Sequence, residues 1–245
     1  MSKIISQTLP VSRLTPSERA TMFGLLSFEF LGVSRQDFTR DLEEKESVML
    51  LRLGSPDGEI VGFSTLVTLD LPTAGRPTKA VFSGDTSILP AHRSSLGFGL
   101  EIARYFLRAI ESNPNVDLYY VLMSKGWRTF RVLPFFFREF SPAPDVSVSR
   151  EHQAVRDAFG AAKYPREYDP ERGIILFARE TQRLVPGSVD AVPPPDPDAH
   201  TRFFLRANPT YLSGTELVCV APVTRANFAP AMLRLVGRVE REVLA

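Results

Sequence analysis

The sequence predicts an α/β protein with a mixed, mostly antiparallel sheet flanked by helices, and two patterns lead to this fold class. Residues 48–71 indicate a hairpin, because two strand-like runs flank the turn sequence GSPDG. Residues 80–123 then indicate a strand, a helix and a strand in that order, which makes the strands at 80–89 and 117–123 parallel. Short connections favour antiparallel pairing among the first three strands.

Helix caps and apolar spacing predict the helices. Residues 15–18, Thr-Pro-Ser-Glu, combine a capping threonine, a proline at the first helical position and a glutamate three residues after the cap, so a helix begins there. Ser34 caps a second, short helix of mixed charge. In the helix that follows residue 97, Ile102, Phe106 and Ile110 recur four residues apart, which predicts a surface helix covering the sheet.

The remaining elements and the domain limits are predicted from composition. The elements are a helix start within 124–140 interrupted by Pro134, a helix at 151–162, strands at 173–178 and 216–222, and a helix from about Asn227 to Val243. Residues 186–198 hold five prolines and three aspartates and cannot form a helix interior or a central strand. We therefore predict a main domain at 1–185, a Pro-rich linker at 186–198 and a strand-helix extension at 199–245 that packs on the main domain.

Overall composition excludes several classes of function. The 29 basic and 28 acidic residues leave a net charge of +1, so we expect no nucleic acid partner. The single cysteine, Cys219, excludes an intrachain disulfide and fits a reducing compartment. No signal-peptide core and no apolar run long enough to span a membrane are present, so we expect a cytoplasmic protein. His92, His152, His200 and Cys219 lack metal-ligand spacing, and no metal is expected.

The strongest functional pattern is the turn between the strand at 80–89 and the helix that follows. The strand stops at Pro90, and the turn holds arginine, serine and glycine residues. Such a turn leaves backbone N–H groups uncovered, and the helix adds the positive end of its dipole, so an anion can be bound there. A plain strand-to-helix connection uses the same residue types, and the turn alone leaves both interpretations open.

The order hairpin, strand, ILPAHRSSLGFG turn, covering helix, short strand and helix resembles the GNAT family of N-acetyltransferases over residues 12–140, with the strand near 173–178 as a further match. In that family the turn binds the pyrophosphate of acetyl-CoA through backbone amides, and two central strands splay apart to admit pantetheine. The resemblance implies that Ile88 and Leu89 pair with pantetheine. It also implies a pyrophosphate site made of Arg93, Ser94, Ser95, Leu96, Gly97 and Gly99.

The sequence departs from the family pattern at two places. Leu96 stands where the family's turn usually has its first glycine, and Gly97 comes one position later, as a one-residue insertion would produce. The helix after the short strand lacks the tyrosine that often protonates the departing thiolate in this family. Tyr119 and Tyr120 lie on the preceding strand instead, and Tyr120 is the candidate acid.

Thioester aminolysis needs a group that takes a proton from the attacking amine. A carboxylate whose pKa burial has raised toward neutrality can do this. Asp85 is the first candidate, because it lies within the apolar strand sequence VFSGDTSIL just before the turn. Glu29, among aromatic residues on the first helix, is the second. For each, a surface carboxylate or a structurally hydrogen-bonded one is the alternative interpretation.

Two functions remain open from the sequence. The first is an N-acyltransferase that moves an acyl group from acetyl-CoA, a longer acyl-CoA or an acyl carrier protein to a small-molecule amine. The second is a catalytically silent protein that keeps the fold, binds acyl-CoA or acts as a scaffold. The aromatic run at 135–137, with Phe140, favours a larger acyl group or acceptor if it lines a pocket, whereas such a run more often belongs to the core. A homodimer is also left open.

Overall fold

The computed structural model describes residues 3–93, 95–177 and 182–243. Its strands are β1 (Ile4–Pro10), β2 (Phe30–Leu31), β3 (Ser47–Leu53), β4 (Ile60–Leu71), β5 (Thr78–Ile88), β6 (Asp117–Ser124), β7 (Tyr168–Asp169), β8 (Ile174–Ile175), β9 (Arg183–Leu184) and β10 (Glu216–Pro222). Its helices are α1 (Pro16–Glu29), α2 (Arg35–Glu43), α3 (Gly97–Ser112), α4 (Trp127–Phe130), α5 (Val132–Phe136), α6 (Arg150–Lys163), α7 (Ala199–Ala207) and α8 (Pro230–Val243).

Eight strands form one sheet in the order β1-β3-β4-β5-β6-β10-β8-β7, and β2 and β9 form a separate pair. Within the described residues, β5 and β6 are the one parallel pair of neighbours, and the remaining neighbours pair antiparallel. The mixed, mostly antiparallel sheet with flanking helices confirms the predicted fold class. Parallel pairing of β5 and β6 follows from the helix α3 that connects them.

The structure confirms the predicted N-terminal caps of α1 and α2. The side chain of Thr15 accepts a hydrogen bond from the Glu18 amide, and the Glu18 carboxylate accepts one from the Thr15 amide, which starts α1. Ser34 caps α2 by accepting from the Asp37 amide. The strand predicted at 173–178 is shorter, because β8 covers only Ile174–Ile175, and Ala178 lies outside the described residues.

The two-residue strands β2, β7 and β9 were not predicted from the sequence, and two longer elements were also missed. β1 pairs along its whole length with β3, from Ile4 opposite Leu53 to Pro10 opposite Ser47, at the edge of the sheet. The side chains of β1 are mostly half-buried, so the strand lacks the alternation of apolar and polar residues that would have predicted it. The helix α7 at Ala199–Ala207 was also missed, although Asp198 caps it by accepting from the Thr201 amide.

Helices cover both faces of the sheet. α3, α5 and α8 enclose one core, in which Phe106 packs against Tyr120, Phe137 and Phe228. α1 and α2 cover the other face over β3 and β4, and α6 covers it near β10. Much of the aromatic run belongs to the core, since Phe136, Phe137 and Phe140 are buried, whereas Phe135 is 49% exposed.

The C-terminal segment contributes an internal strand. β10 pairs with β6 on one side and with β8 on the other, and α8 packs along α3. The Pro-rich segment is anchored to the body of the protein, because Asp190 and Ala191 are buried and the Tyr211 hydroxyl donates to the Ala191 carbonyl over 2.9 Å. The division of the chain at 186–198 into a main domain and an extension stays a prediction.

We expect Gly173→Ala to lower the free energy of unfolding more than Gly54→Ala. Both glycines have positive φ, +65° at Gly173 and +75° at Gly54, so each substitution costs about 1–3 kcal/mol of backbone strain. An added Cβ at Gly173 also lies 2.3 Å from Nη1 of the buried Arg156, whereas the space at Gly54 is open. Overpacking adds about 1–3 kcal/mol at Gly173. Denaturant unfolding measures the difference, and equal losses at the two positions contradict this account.

Candidate functional site

A cavity of about 530 Å³ opens where β5 and β6 part, and we call it the splay cavity. The two strands pair from Thr78 opposite Asp117 to Ser83 opposite Leu122, where their pairing ends. β5 continues to Ile88 and β6 to Ser124, so both strands run past this point. The described residues that line the cavity are Phe30, Gly32, Ser34, Asp37, Phe38, Arg40, Asp41, Glu44, Phe82, Ser83, Gly84, Asp85, Thr86, Leu122, Met123, Lys125, Thr129, Lys163, Tyr164, Glu167, Phe177, Gln182 and Glu216.

Ion pairs hold most of the charges in the wall of the cavity. Lys125 Nζ lies 3.1 Å from Glu216 Oε1, and it also donates to Gln182 Oε1 over 3.2 Å. The other pairs are Arg40 with Asp37, Lys163 with Glu44, and Lys45, just outside the lining, with Asp41. Burying charges is tolerated when they are paired in this way.

Asp85 lies in the wall of the cavity at an irregularity of β5. The register between β4 and β5 shifts between Ser64 and Leu66, so Gly84 and Asp85 lie opposite Thr65 in a bulge. Burial raises the pKa of Asp85 to about 6, and the negative charge of Asp41 acts in the same direction. The cations Lys125 and Lys45 oppose this rise. At neutral pH most Asp85 side chains are therefore ionised and can accept a proton.

Gly84 allows Lys45 to pass close to the bulge. A Cβ at Gly84 would lie 2.7 Å from Lys45 Cε, and the Lys45 side chain is fully buried. Lys45 Nζ is held 2.6 Å from Asp41 Oδ2. A side chain at position 84 would displace this cation, which contributes to the electrostatic surroundings of Asp85.

Glu29 belongs to a second group of charges, which we call the Arg93 cluster: Arg93, Glu29, Asp190 and Arg128. Arg93 Nη2 lies 2.5 Å from Glu29 Oε1, and Arg93 Nη1 lies 3.1 Å from Asp190 Oδ2. Arg128 Nε lies 3.3 Å from Asp190 Oδ1. Burial raises the pKa of Glu29, and the charge of Arg93 opposes that rise. The cluster adjoins the cavity, because Phe30 lines the cavity and the residue before it is Glu29.

The turn after β5 is folded largely on itself. The amides of His92 and Ser95 donate to the carbonyls of Leu89 and His92. Arg93 Nε donates to the Ile88 carbonyl over 3.0 Å, and the Leu89 amide donates to the Val61 carbonyl over 2.9 Å. Ser94 lies outside the described residues. The first turn of α3 begins at Gly97, after the exposed Leu96.

The two glycines of the turn permit close packing of α3. A Cβ at Gly97 would lie 3.2 Å from side-chain carbons of both Ile4 and Leu51, and one at Gly99 would lie 2.9 Å from Leu235 Cδ1. Both the anion-binding interpretation and close packing require small residues here. The assignment of the turn residues to pyrophosphate stays a prediction.

The structure brings Asp85 to the cavity and Glu29 to the Arg93 cluster, but it places Tyr120 elsewhere. Tyr120 is buried in the core beside Phe106 and Phe137, among the helices α3 and α8. Burial raises the pKa of Tyr120 to about 12, so its hydroxyl is protonated at neutral pH. It is not among the described residues that line the splay cavity.

Several charged residues near these sites were not singled out from the sequence. Glu216 heads an apolar strand and is 9% exposed, and Asp190 lies buried within the Pro-rich segment. A lone acid at the start of the apolar run LVCVA was a usable signal for Glu216. Nothing in the sequence around Asp190 indicates that Arg93 and Arg128 lie beside it.

Two features are absent from the described residues, 3–93, 95–177 and 182–243. No group of three or more His, Cys, Asp or Glu side chains there is arranged to hold a metal ion. No helix in those ranges combines the length and the apolar character needed to cross a membrane.

No family model and no curated protein matches the sequence. Similar solved structures include a conserved protein from Enterococcus faecalis V583, a probable N-acyltransferase, with 12% identity, 57% of this chain and 33% of that chain covered, and a TM-score of 0.43. Arabidopsis thaliana NAA60 in complex with a bisubstrate analogue has 13% identity, covers 55% of this chain and 86% of that chain, and has a TM-score of 0.38. An aminoglycoside N-acetyltransferase in complex with CoA has 14% identity, 48% and 75% coverage, and a TM-score of 0.34.

This chain spans about a third of the length of the Enterococcus faecalis protein. Because the identities and TM-scores are this low, nothing about the activity of this chain follows from these structures. Its own strand order carries the fold: an antiparallel hairpin, a third strand, a turn, a covering helix and a parallel strand that parts from the third. This strand order confirms the predicted fold class, a GNAT-like mixed, mostly antiparallel sheet flanked by helices.

We expect the free energy of unfolding of the wild type to fall relative to that of Asp85→Asn as the pH rises from 4 to 7. The folded-state pKa of about 6 lies above the ordinary value of 3.8, so the folded protein binds more protons in this window and loses stability as the pH rises. The variant lacks this titration and gains up to about 3 kcal/mol over the wild type at pH 7.

Denaturant unfolding at pH 4, 5, 6 and 7 measures this difference. Asp57→Asn, at an exposed hairpin position, is the control and should track the wild type at every pH. A constant difference between Asp85→Asn and the wild type would show that Asp85 has an ordinary pKa.

Proposed function

We propose that this protein is an N-acyltransferase that moves an acyl group from a CoA thioester to an amine held in the splay cavity. The observation that carries the proposal is Asp85, a carboxylate with a raised pKa in the wall of a cavity between two parting strands. A general base works best when its pKa lies near the working pH. The cavity of about 530 Å³ lies within the size range of small-molecule sites.

The charges in the cavity favour an amine as the acceptor. Six of the described lining residues are acidic and three are basic, so the wall has an excess of negative charge that attracts an ammonium group. The aromatic side chains of Phe82, Tyr164 and Phe177 also line the cavity, and Lys45 and Lys163 already lie over the rings of Phe82 and Tyr164.

The reaction is a direct aminolysis of the thioester. The neutral amine attacks the carbonyl carbon, a C–N bond forms, and the C–S bond breaks with CoA leaving as a thiolate. Asp85 takes the proton from the attacking nitrogen, and that proton passes on to the thiolate or to water, so charge and protons balance. In this proposal, backbone N–H groups of the parting strands stabilise the developing oxyanion.

In this proposal the turn after β5 holds the diphosphate of CoA. Arg93 supplies a guanidinium group, and the first turn of α3, from Gly97 to Gly99, supplies backbone amides and the positive end of the helix dipole. Ile88 lies where pantetheine would pass between the turn and the cavity, on the part of β5 beyond its pairing with β6.

A second candidate function is binding of acyl-CoA without turnover. One observation favours it: Tyr120, the candidate acid for the leaving thiolate, is not among the described residues that line the cavity.

We expect Asp85→Asn to lower kcat about 10²–10³-fold with acetyl-, medium- and long-chain acyl-CoA, because an amide cannot accept the proton. The Kd for CoA should stay unchanged. In the wild type, kcat/KM should rise with pH through about 6, since only the ionised carboxylate acts as base. Thiol release with a panel of amines measures the rate, and Asp57→Asn is the matched control.

Two results would distinguish the candidates. Thermal stabilisation by CoA with no thiol release from any amine supports the binding function. Full activity of Asp85→Asn, or a kcat/KM that does not rise with pH near 6, would show that Asp85 is not the general base.

A further inference from the structure

Two guanidinium groups share one carboxylate beside the turn after β5. Arg93 and Arg128 approach opposite oxygens of Asp190, with N···O distances of 3.1 Å and 3.3 Å. The Asp190 side chain is 12% exposed, so these contacts are largely shielded from water. Guanidinium groups bind carboxylate and phosphate oxygens with the same hydrogen-bond geometry. The pair of arginines is therefore an anion site that the chain fills with its own carboxylate.

Three buried polar atoms in the same segments have no hydrogen-bond partner among the described residues. They are Ser95 Oγ, Trp127 Nε1 and Ser188 Oγ. Each belongs to a residue within two positions of Arg93, Arg128 or Asp190. Ten buried polar atoms among the described residues lack a partner, and these three lie in the segments that carry the two arginines and the shared carboxylate.

We propose that Arg93 and Arg128 form a diphosphate subsite, and that Asp190 occupies this subsite until the diphosphate of a CoA thioester displaces it. The inference rests on the proposed function, because it takes the CoA thioester as the ligand. It assigns a phosphate-binding role to Arg128, which lies in α4. It also makes the Pro-rich segment a competitor for the donor, built into the same chain.

The segment that carries Asp190 is tied to the rest of the protein by the ion pairs of Asp190 and by the Tyr211 hydroxyl, which donates to the Ala191 carbonyl over 2.9 Å. Val185 N–H donates to the Glu29 carbonyl over 3.2 Å, and Ala191 N–H donates to the Ser188 carbonyl over 3.0 Å. Val189 and Val192, on either side of the buried pair, are 52% and 57% exposed. A short turn with exposed flanks can move without disturbing the sheet, whereas Leu184 in β9 anchors its start in the core.

Charge explains why displacement of Asp190 matters. The Arg93 cluster holds two cations and two carboxylates, so its formal charge is zero while Asp190 is in place. Removal of that carboxylate leaves a net positive site for a diphosphate. Because only the fraction of molecules with Asp190 displaced is competent to bind, the apparent Kd exceeds the intrinsic Kd by the inverse of that fraction.

The test is the Kd of free CoA and of inorganic pyrophosphate, measured by calorimetry on the full chain. Asp190→Asn keeps the size of the side chain and removes its charge, so we expect both ligands to bind about 5–10-fold more tightly. Asp196→Asn, an exposed aspartate of the same Pro-rich segment, is the matched control and should stay within about 2-fold of the wild type. Arg128→Gln should weaken binding about 5–10-fold in the Asp190→Asn background.

The outcomes separate this inference from the proposed function. Equal affinities for CoA in the wild type and Asp190→Asn overturn the inference and leave the acyltransferase proposal intact. Tighter pyrophosphate binding by Asp190→Asn, with no thiol release from any acyl-CoA, supports the subsite and counts against the acyltransferase. Absence of binding in all folded variants overturns both. If Asp190→Asn does not fold, hydrogen exchange of the wild type decides: faster exchange at 185–192 on addition of CoA supports displacement, and unchanged or slower exchange overturns it.

Discussion

The end of the pairing between β5 and β6 at Ser83 and Leu122 is the constraint on which the rest of the site depends. Parallel neighbours normally continue side by side, so strands that part leave a gap in the middle of the sheet. Here the bulge at Gly84 and Asp85 bends β5 at that point, and side chains of α2, α6 and β6 close around the opening. The splay cavity also adjoins the strand pair β2 and β9. Phe30 of β2 lines the cavity, and Glu29, the residue before β2, belongs to the Arg93 cluster.

Most buried charges around the cavity are paired with a charge of opposite sign. Buried or half-buried charges lie in the sheet at Asp85 and Glu216 and beside it at Lys45 and Lys125. A buried charge is costly in isolation, so these pairs are better understood as means of setting the proton affinity of Asp85 than as sources of stability. The cluster around Arg93 follows the same rule, since two carboxylates balance two guanidinium groups.

The C-terminal quarter of the chain helps to build this environment. β10 lies between β6 and β8, and its first residue is Glu216, which binds Lys125 at the cavity. α8 packs on α3 where Leu235 approaches Gly99, next to the turn after β5. Residues distant in sequence thus support both the cavity and the turn, and a chain that ends before β10 would lack one side of the site.

Signals carried by neighbouring residues were enough to predict the fold class and most of the longer elements, although β1 and α7 were missed. The capping box at 15–18, the hairpin turn at 54–58 and the strand-helix-strand order at 80–123 act over a few residues, and Asp85 stood out as an acid within an apolar strand. Only the tertiary structure decided that Tyr120 lies in the core and that Asp190 meets Arg93 and Arg128. Arg93 and Asp190, for example, are 97 positions apart in the sequence. The packing of whole elements brings such residues together, so no local pattern encodes the contact.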